Sequence, residues 1–343
     1  MASAHPRPPT GITPTPKGQP MTNLSLCSGA GTLDLAVEQI TGNKTFVYAE
    51  NDPFASRVME ARFPWAANLG DITTADWAGI AQQYRIESLS AGFPCKDISN
   101  AGPRIGIRGK RSGIWRNVAE AVRVIRPDIV FLENVEAIRS RGLHVVVEDL
   151  AAIGYGLWWT GVPASAVGAA SIRWRWFGIA RPHGVDPDVA AWRRHWATMP
   201  AARVFTDELA TLPLVASRDW KSAASNKLDD NSRPLNEYVA NRLARPGASW
   251  VTDHGIDHTP AIRRWETILD RPAPAPWIRG PRGGRQLSPL FAEWMQGNDA
   301  GWITDVDIPW TKQIEIAGNQ AITRQAVEGY RRLLCADLDA MAA

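Results

Sequence analysis

The chain has 343 residues, 45% of them apolar and 21% charged, with a formal net charge of +3. That length buries a sizeable core, and that composition excludes a disordered, collagen-like or membrane-embedded chain. Three widely spaced cysteines fit neither a disulfide framework nor a zinc site, and with no apolar run near the roughly eighteen residues of a membrane span they point to a reducing, cytoplasmic setting.

Residues 1–21 hold six prolines among Gly, Ser and Thr and are expected to form a disordered leader, with Met21 as an alternative start. Short apolar runs then alternate with helix-period segments. Strands are expected at 24–27 (LSLC), 46–50, 86–92, 128–134, 156–162 and 174–180. Helices are expected at 32–40, 53–63 and 113–125, with Pro53 in a first turn and Pro127 ending the third. This rhythm predicts an α/β domain over 22–182 with a parallel, doubly wound sheet. From 183 the rhythm stops, and 272–285 (PAPAPWIRGPRGGR) reads as a stiff then flexible linker. The last segment is helical again, with Ile322, Val327, Tyr330, Leu334 and Leu338 on one apolar face.

Two features concern ligands. In "LSLCSGAGTLDLA" (24–36), Gly29 and Gly31 let the backbone turn tightly and approach a bound group. Glu50 ends the next expected strand, where a carboxylate accepts from both ribose hydroxyls of an adenosine. Asp71, in "GDIT" ahead of the third expected strand, is in reach of an adenine amino group. The third glycine of a dinucleotide fingerprint is replaced by Asp34, so a single nucleoside is favoured. The second feature is charge. Residues 96–116 carry six basic residues against one acid, and Arg271, Arg279, Arg282 and Arg285 form an acid-free cluster. Such loops suit a phosphate backbone, although a charged loop kept solvated reads the same way.

"GFPCKDIS" (92–99), "ENV" (133–135), the arginine pair of "SIRWRWF" (171–177), "QLSPLFAEWMQG" (286–297) and "AGNQA" (317–321) follow "CSGAG" in that order. The series resembles the DNA cytosine-5 methyltransferase family from about Leu24 to the C-terminal helix, except over the irregular insert. The resemblance implies a Rossmann-like fold that binds S-adenosylmethionine, with a smaller target-recognition domain at 183–315 and a return segment at 316–343. It implies duplex DNA as partner, a flipped-out cytosine, and a monomer without membrane attachment or metal. It makes Cys95 the nucleophile that adds to carbon 6, since a thiolate there turns carbon 5 into an enamine carbon. Glu133 then meets ring nitrogen 3, Arg175 the base carbonyl, and Arg173 braces the site. Gly29, Gly31, Glu50, Asp71 and Asn319 would hold the cofactor, and the 99–113 loop would close over DNA.

Plainer readings stand beside these. A cysteine after an apolar strand also suits a small buried hydrophobe, as expected for Cys27 and Cys335. Arg173 and Arg175 also fit an amphipathic strand, and a catalytically silent DNA-binding protein would keep the same fold. A tRNA methyltransferase is the rival within the enzyme class. The chain departs from the family at Cys27, where an aromatic residue is usual, at Ser171 and at Lys96. A cation at Lys96, beside the nucleophile, raises a second cofactor possibility: carboxy-S-adenosylmethionine, with transfer of a carboxymethyl group. Restriction–modification and phage settings both fit, and the target bases are not legible.

Overall fold

The computed structural model describes residues 22–94, 113–184, 204–206, 209–220, 235–241, 250–280 and 283–335. Cys95, Lys96, the 99–112 part of the basic loop, Arg282, Leu338 and the 1–21 leader lie outside the described residues.

Seven strands form one sheet: β1 (Thr22–Leu26), β2 (Lys44–Ala49), β3 (Ala67–Asn68), β4 (Ile86–Ala91), β5 (Ile129–Val135), β6 (Tyr155–Pro163) and β7 (Trp174–Pro182). Their order is β3-β2-β1-β4-β5-β7-β6. Strands β1 and β4 are buried along their whole length, which is why they are mostly apolar or small, with Asn23 and Glu87 as the exceptions. Helices α1 (Thr32–Thr41), α2 (Pro53–Arg62), α3 (Trp77–Gln83), α4 (Ile114–Ile125), α5 (Ile138–Arg141) and α6 (Leu143–Ala152) connect them. Helix α2 starts as its sequence dictates: Asp52 accepts from the amides of Phe54 and Ala55, and Pro53 fills the first turn. Helix α4 stops at Arg126, left-handed at φ 58°, just before Pro127.

The expected all-parallel sheet is corrected at one strand. β7 runs antiparallel to both β5 and β6. Between β6 and β7 the chain has only a short 3-10 turn, Ala164–Val167, and no crossover helix. A parallel return needs a dozen or more residues, so the short connection forces a hairpin. The short β3 is an additional strand, and Asp71 lies between it and β4, the strand expected at 86–92, which it precedes as expected.

The insert has more order than its composition suggested. Helices α7 (Leu235–Asn241) and α8 (Thr259–Leu269) lie inside it. Helix α8 buries Ala261, Ile262 and Trp265, a periodic face that the surrounding Pro and Arg obscured. The 272–285 linker is corrected to a hairpin half: β8 (Trp277–Arg279) pairs antiparallel with β9 (Arg285–Leu287). Helices α9 (Pro289–Met295), α10 (Trp310–Asn319) and α11 (Thr323–Cys335) complete the fold. The chain is extended at Gln320, so the C-terminal segment is two helices. Helix α11 packs on α1, β6 and β7, burying Val327, Tyr330 and Leu334, while Cys335 is exposed rather than a packing residue. One apolar cluster joins Ala30, Ala55 and Val58 to Leu212, Trp250, Trp265, Phe291 and Trp294. Among the described residues no helix is long and apolar enough to cross a membrane.

Under the β1–α1 turn lies a buried polar network. The Ser90 hydroxyl donates to Asp34 Oδ1 at 2.6 Å and accepts from Asn23 Nδ2 at 3.0 Å. Burial pushes the Asp34 carboxyl up to about 6. A folded-state value above the unfolded one favours folding below the unfolded pKa, near 4. That contribution is lost as pH rises through about 6. Asp34→Asn is therefore expected to match the parent at pH 4 and to gain on the order of 3 kcal/mol at pH 8. Urea melts at the two pH values check this, and an equal difference at both would count against it.

Candidate active site

The site lies at the C-terminal ends of β1, β2, β4 and β5, where an open α/β sheet leaves a crevice. The first group surrounds the turn after β1. Gly29 and Gly31 are left-handed at φ 57° and 75°. A Cβ on Gly29 would meet nothing within 4 Å, so that side is open to a ligand, whereas one on Gly31 would strike the Phe63 ring at 2.3 Å. Glu50 Oε2 accepts from the Gly29 amide at 2.8 Å and Oε1 accepts from the Asp52 amide at 2.9 Å. Burial raises the Glu50 pKa, and these two amide bonds oppose the shift. The Asn51 amide adds to these, and the carboxylate still keeps acceptor capacity for a further donor.

Cys27 shares this pocket. It is left-handed at φ 55° and half-buried, and its thiol is pushed up to about 12 by burial and by the carboxylates of Glu50 and Asp71. The shift keeps the thiol protonated at neutral pH. Asp71 Oδ1 accepts from the Thr73 amide at 2.8 Å, which lowers its pKa. Asn68 was missed in the sequence. Its side chain accepts from the Glu50 amide (3.2 Å) and donates to the Glu50 carbonyl (3.1 Å), setting the backbone from which that carboxylate projects. The turn-forming "NLG" was its only signal.

The second group joins β5 and β7. Arg175 stands opposite Val135 in the ladder, two residues from Glu133, and its Nε lies 2.7 Å from Glu133 Oε1. The contact is a close ion pair whose N–H direction does not complete a hydrogen bond. Both residues are 8% exposed, while Trp174 between the arginines is 48% exposed. The alternation is thus inverted from that of an ordinary amphipathic strand: the cations face inward. Burial raises the Glu133 pKa, and Arg175 draws it back down. With Nε turned to Glu133, the other four N–H donors of Arg175 lie on its terminal nitrogens.

Gly92 ties the two groups together. A Cβ there would lie 3.5 Å from Glu133 Oε2 and 3.9 Å from the Cys27 carbonyl oxygen. The end of β4 therefore runs between the nucleoside pocket and the Glu133–Arg175 pair. Asn134 Nδ2 donates to the Phe93 carbonyl at 3.1 Å and holds the segment that continues through Pro94 to Cys95. The "ENV" motif pointed to Glu133, but nothing local to the sequence revealed this second role of Asn134.

Arg173 is not part of this pair. It is 2% exposed and donates to Gln296 Oε1 at 2.9 Å and to the Gly318 carbonyl at 2.8 Å. It clamps the start of β7 to the C-terminal segment. Gly318 has no room for a side chain, since a Cβ would fall 2.3 Å from the Ala216 backbone. Asn319 follows, exposed at the end of α10.

The model of the C-5 cytosine-specific DNA methylase family matches residues 21–260. The chain is 31% identical over 166 residues to the Type II methyltransferase M.CviJI of Paramecium bursaria Chlorella virus IL3A, covering 48% of this chain and 44% of that protein. It is also 31% identical over 163 residues to the Type II methyltransferase M2.BsuMI of Bacillus subtilis (strain 168), covering 45% and 40%. The chain thus spans less than half the length of these curated relatives. The crystal structure of S. pombe Dnmt2 methyltransferase superposes with a TM-score of 0.56 at 15% identity, over 93% of this chain and 99% of that one, a likeness of fold.

Proposed function

We infer, because this chain belongs to the C-5 cytosine-specific DNA methylase family, that it transfers a methyl group to carbon 5 of a cytosine in double-stranded DNA. The observation that carries the reading is the buried Glu133–Arg175 pair beside the β4 end that leads to Cys95. S-adenosylmethionine, when bound, supplies an electrophilic methyl group. The pocket of Gly29, Glu50, Asp71 and Cys27 suits it, with an open face at Gly29 and spare acceptors on Glu50. Glu50 would take the ribose hydroxyls and Asp71 the adenine amino group.

The chain's own groups act on the base. The Cys95 thiolate forms a bond to carbon 6 of the cytosine, and the ring electrons move so that carbon 5 becomes nucleophilic. Glu133 gives a proton or hydrogen bond to nitrogen 3. Its burial suits this task, because desolvation raises its pKa and favours the acid form over an exposed carboxylate's, although Arg175 opposes the shift. The terminal nitrogens of Arg175 stabilise the developing charge on the base carbonyl. Once carbon 5 has accepted the methyl group, its proton leaves to solvent or a base, and the electron pair so released expels the Cys95 thiolate. The target base must leave the duplex to reach these groups. The 183–315 segment, with its acid-free arginines, is the part we assign to reading DNA.

The test is covalent trapping of the full chain, with S-adenosylmethionine, on mixed-sequence duplex DNA containing 5-fluorocytosine. Fluorine cannot leave carbon 5, so a stable protein–DNA adduct is expected. DNA binding without any adduct would favour a silent binding protein, and trapping on transfer RNA alone would favour the RNA reading. Mass spectrometry of the nucleosides formed on unmodified DNA reads whether the group added is methyl or carboxymethyl.

A further inference from the structure

Besides the Leu35 amide, which donates to the Gly31 carbonyl as α1 begins, four hydrogen bonds hold backbone groups of the turn that would carry the cofactor. The Cys27 amide donates to the Ala49 carbonyl, the Gly29 amide to Glu50, and the Gly31 amide to the Ser28 carbonyl. All three partners lie within the first βαβ unit. The fourth comes from 272 residues away: Trp302 Nε1 donates to the Ala30 carbonyl at 2.8 Å. Ala30 is 1% exposed, so water is a poor substitute partner for that carbonyl.

The chain spends several groups on placing this one indole. The Glu293 carboxylate, 1% exposed on α9, accepts from the amides of Gly301 (2.8 Å), Ile303 (2.7 Å) and Thr304 (2.9 Å). It thereby fixes the loop from both sides of Trp302. Arg62, the last residue of α2, donates to the Trp302 carbonyl at 2.7 Å and also to the Gly301 carbonyl, with its guanidinium 5.5 Å from the indole centre. Phe63 meets the indole edge-on at 6.3 Å, and the same Phe63 ring fills the space beside Gly31. The result is a strap across the back of the turn, made by the segment that follows hairpin β8–β9.

We propose that Trp302 is a positioning residue for the cofactor, acting through Ala30 to hold the left-handed Gly29–Gly31 turn in its binding shape. Three of the five residues from Cys27 to Gly31 have positive φ, a conformation that a loose turn would leave readily. Ordering that turn before binding removes a cost that the ligand would otherwise meet. This inference rests on the S-adenosylmethionine reading above and assigns the rigidity of that site to a residue outside the glycine turn.

The experiment compares wild type, Trp302→Phe and Arg62→Gln. Trp302→Phe keeps a ring and removes the N–H donor. Arg62→Gln loosens the loop and removes the guanidinium over the indole but leaves the Nε1 donor in place, and it is the variant least expected to impair folding. S-adenosylmethionine binding is measured by equilibrium dialysis, and hydrogen exchange at residues 28–31 is followed in cofactor-free protein. Trp302→Phe is expected to weaken cofactor binding by about five- to tenfold. It should speed exchange at 28–31, raise KM for the cofactor, and leave kcat at saturating cofactor within about twofold. Arg62→Gln should move the same quantities less. Unchanged affinity and exchange in folded Trp302→Phe overturn the proposal while leaving the cofactor reading intact. Absence of binding by wild type overturns both. A loss of kcat with unaltered affinity also overturns it, because the residue would then act on the chemical step.

Discussion

Cys95→Ala is expected to abolish methyl transfer to DNA and to leave no adduct on 5-fluorocytosine duplex, while the variant still binds S-adenosylmethionine and DNA. Carbon 5 of cytosine gains nucleophilic character only when an electron-rich group adds at carbon 6. Glu133 and Arg175, a carboxyl and a guanidinium paired with each other, cannot replace the thiolate as nucleophile. The loss should reach the background rate, a fall of at least about 10⁴-fold, as for other enzymes deprived of a covalent nucleophile. Cys27 provides an internal control. Its thiol is pushed up to about 12, so it is protonated at neutral pH and cannot take over the role. Cys27→Ser should still trap. Adduct formation by Cys95→Ala, or none by the parent, would reject the assignment.

The next largest effect is expected at the Glu133–Arg175 pair. Glu133→Gln should lower kcat by about 10²- to 10⁴-fold, because the amide cannot deliver a proton to nitrogen 3. Burial raises the Glu133 pKa, so the required acid form persists above the ordinary carboxylate range and is lost as pH rises through the raised value. The parent rate should therefore fall on the alkaline side, and the Gln variant should lack that limb. Arg175→Ala removes the one group that draws the Glu133 pKa down. Its alkaline limb should move to higher pH, with a lower maximum because the carbonyl loses its cationic partner. Single-turnover rates across pH for the three proteins test this. A limb that stays in place in both variants would assign the titration to another group.

Much of the frame was legible before any coordinates. The apolar runs of β1, β4 and β5 are short and bounded by Pro, Gly and charged residues, so their period and length admitted few alternatives. Asp52-Pro53 and Arg126-Pro127 marked helix boundaries because caps and pre-proline sterics act over one to three residues. Gly29, Gly31 and Glu50 stood out since a turn and the strand beside it are close in sequence. The reversed β7 did not, because its direction depends on what lacks room to form between β6 and β7. Nor did α8, whose apolar face is diluted by Pro260, Arg263 and Arg264.

The amino-acid sequence by itself determined the α/β alternation and the order along the chain of the thiol, carboxyl and guanidinium groups assigned to the proposed transfer. Those depend on local propensity and on chemistry that each side chain carries wherever it lies. Only the tertiary structure decided that Arg175 turns inward to Glu133 while Trp174 faces out, that Arg173 clamps Gly318 instead of joining that pair, and that Trp302 crosses 272 positions to hold Ala30. Each of these contacts joins polar groups on segments distant in sequence, with at least one partner buried. Burial makes an unpaired group costly, and the partner that meets that cost is chosen by how the sheet and helices pack, which no local pattern encodes.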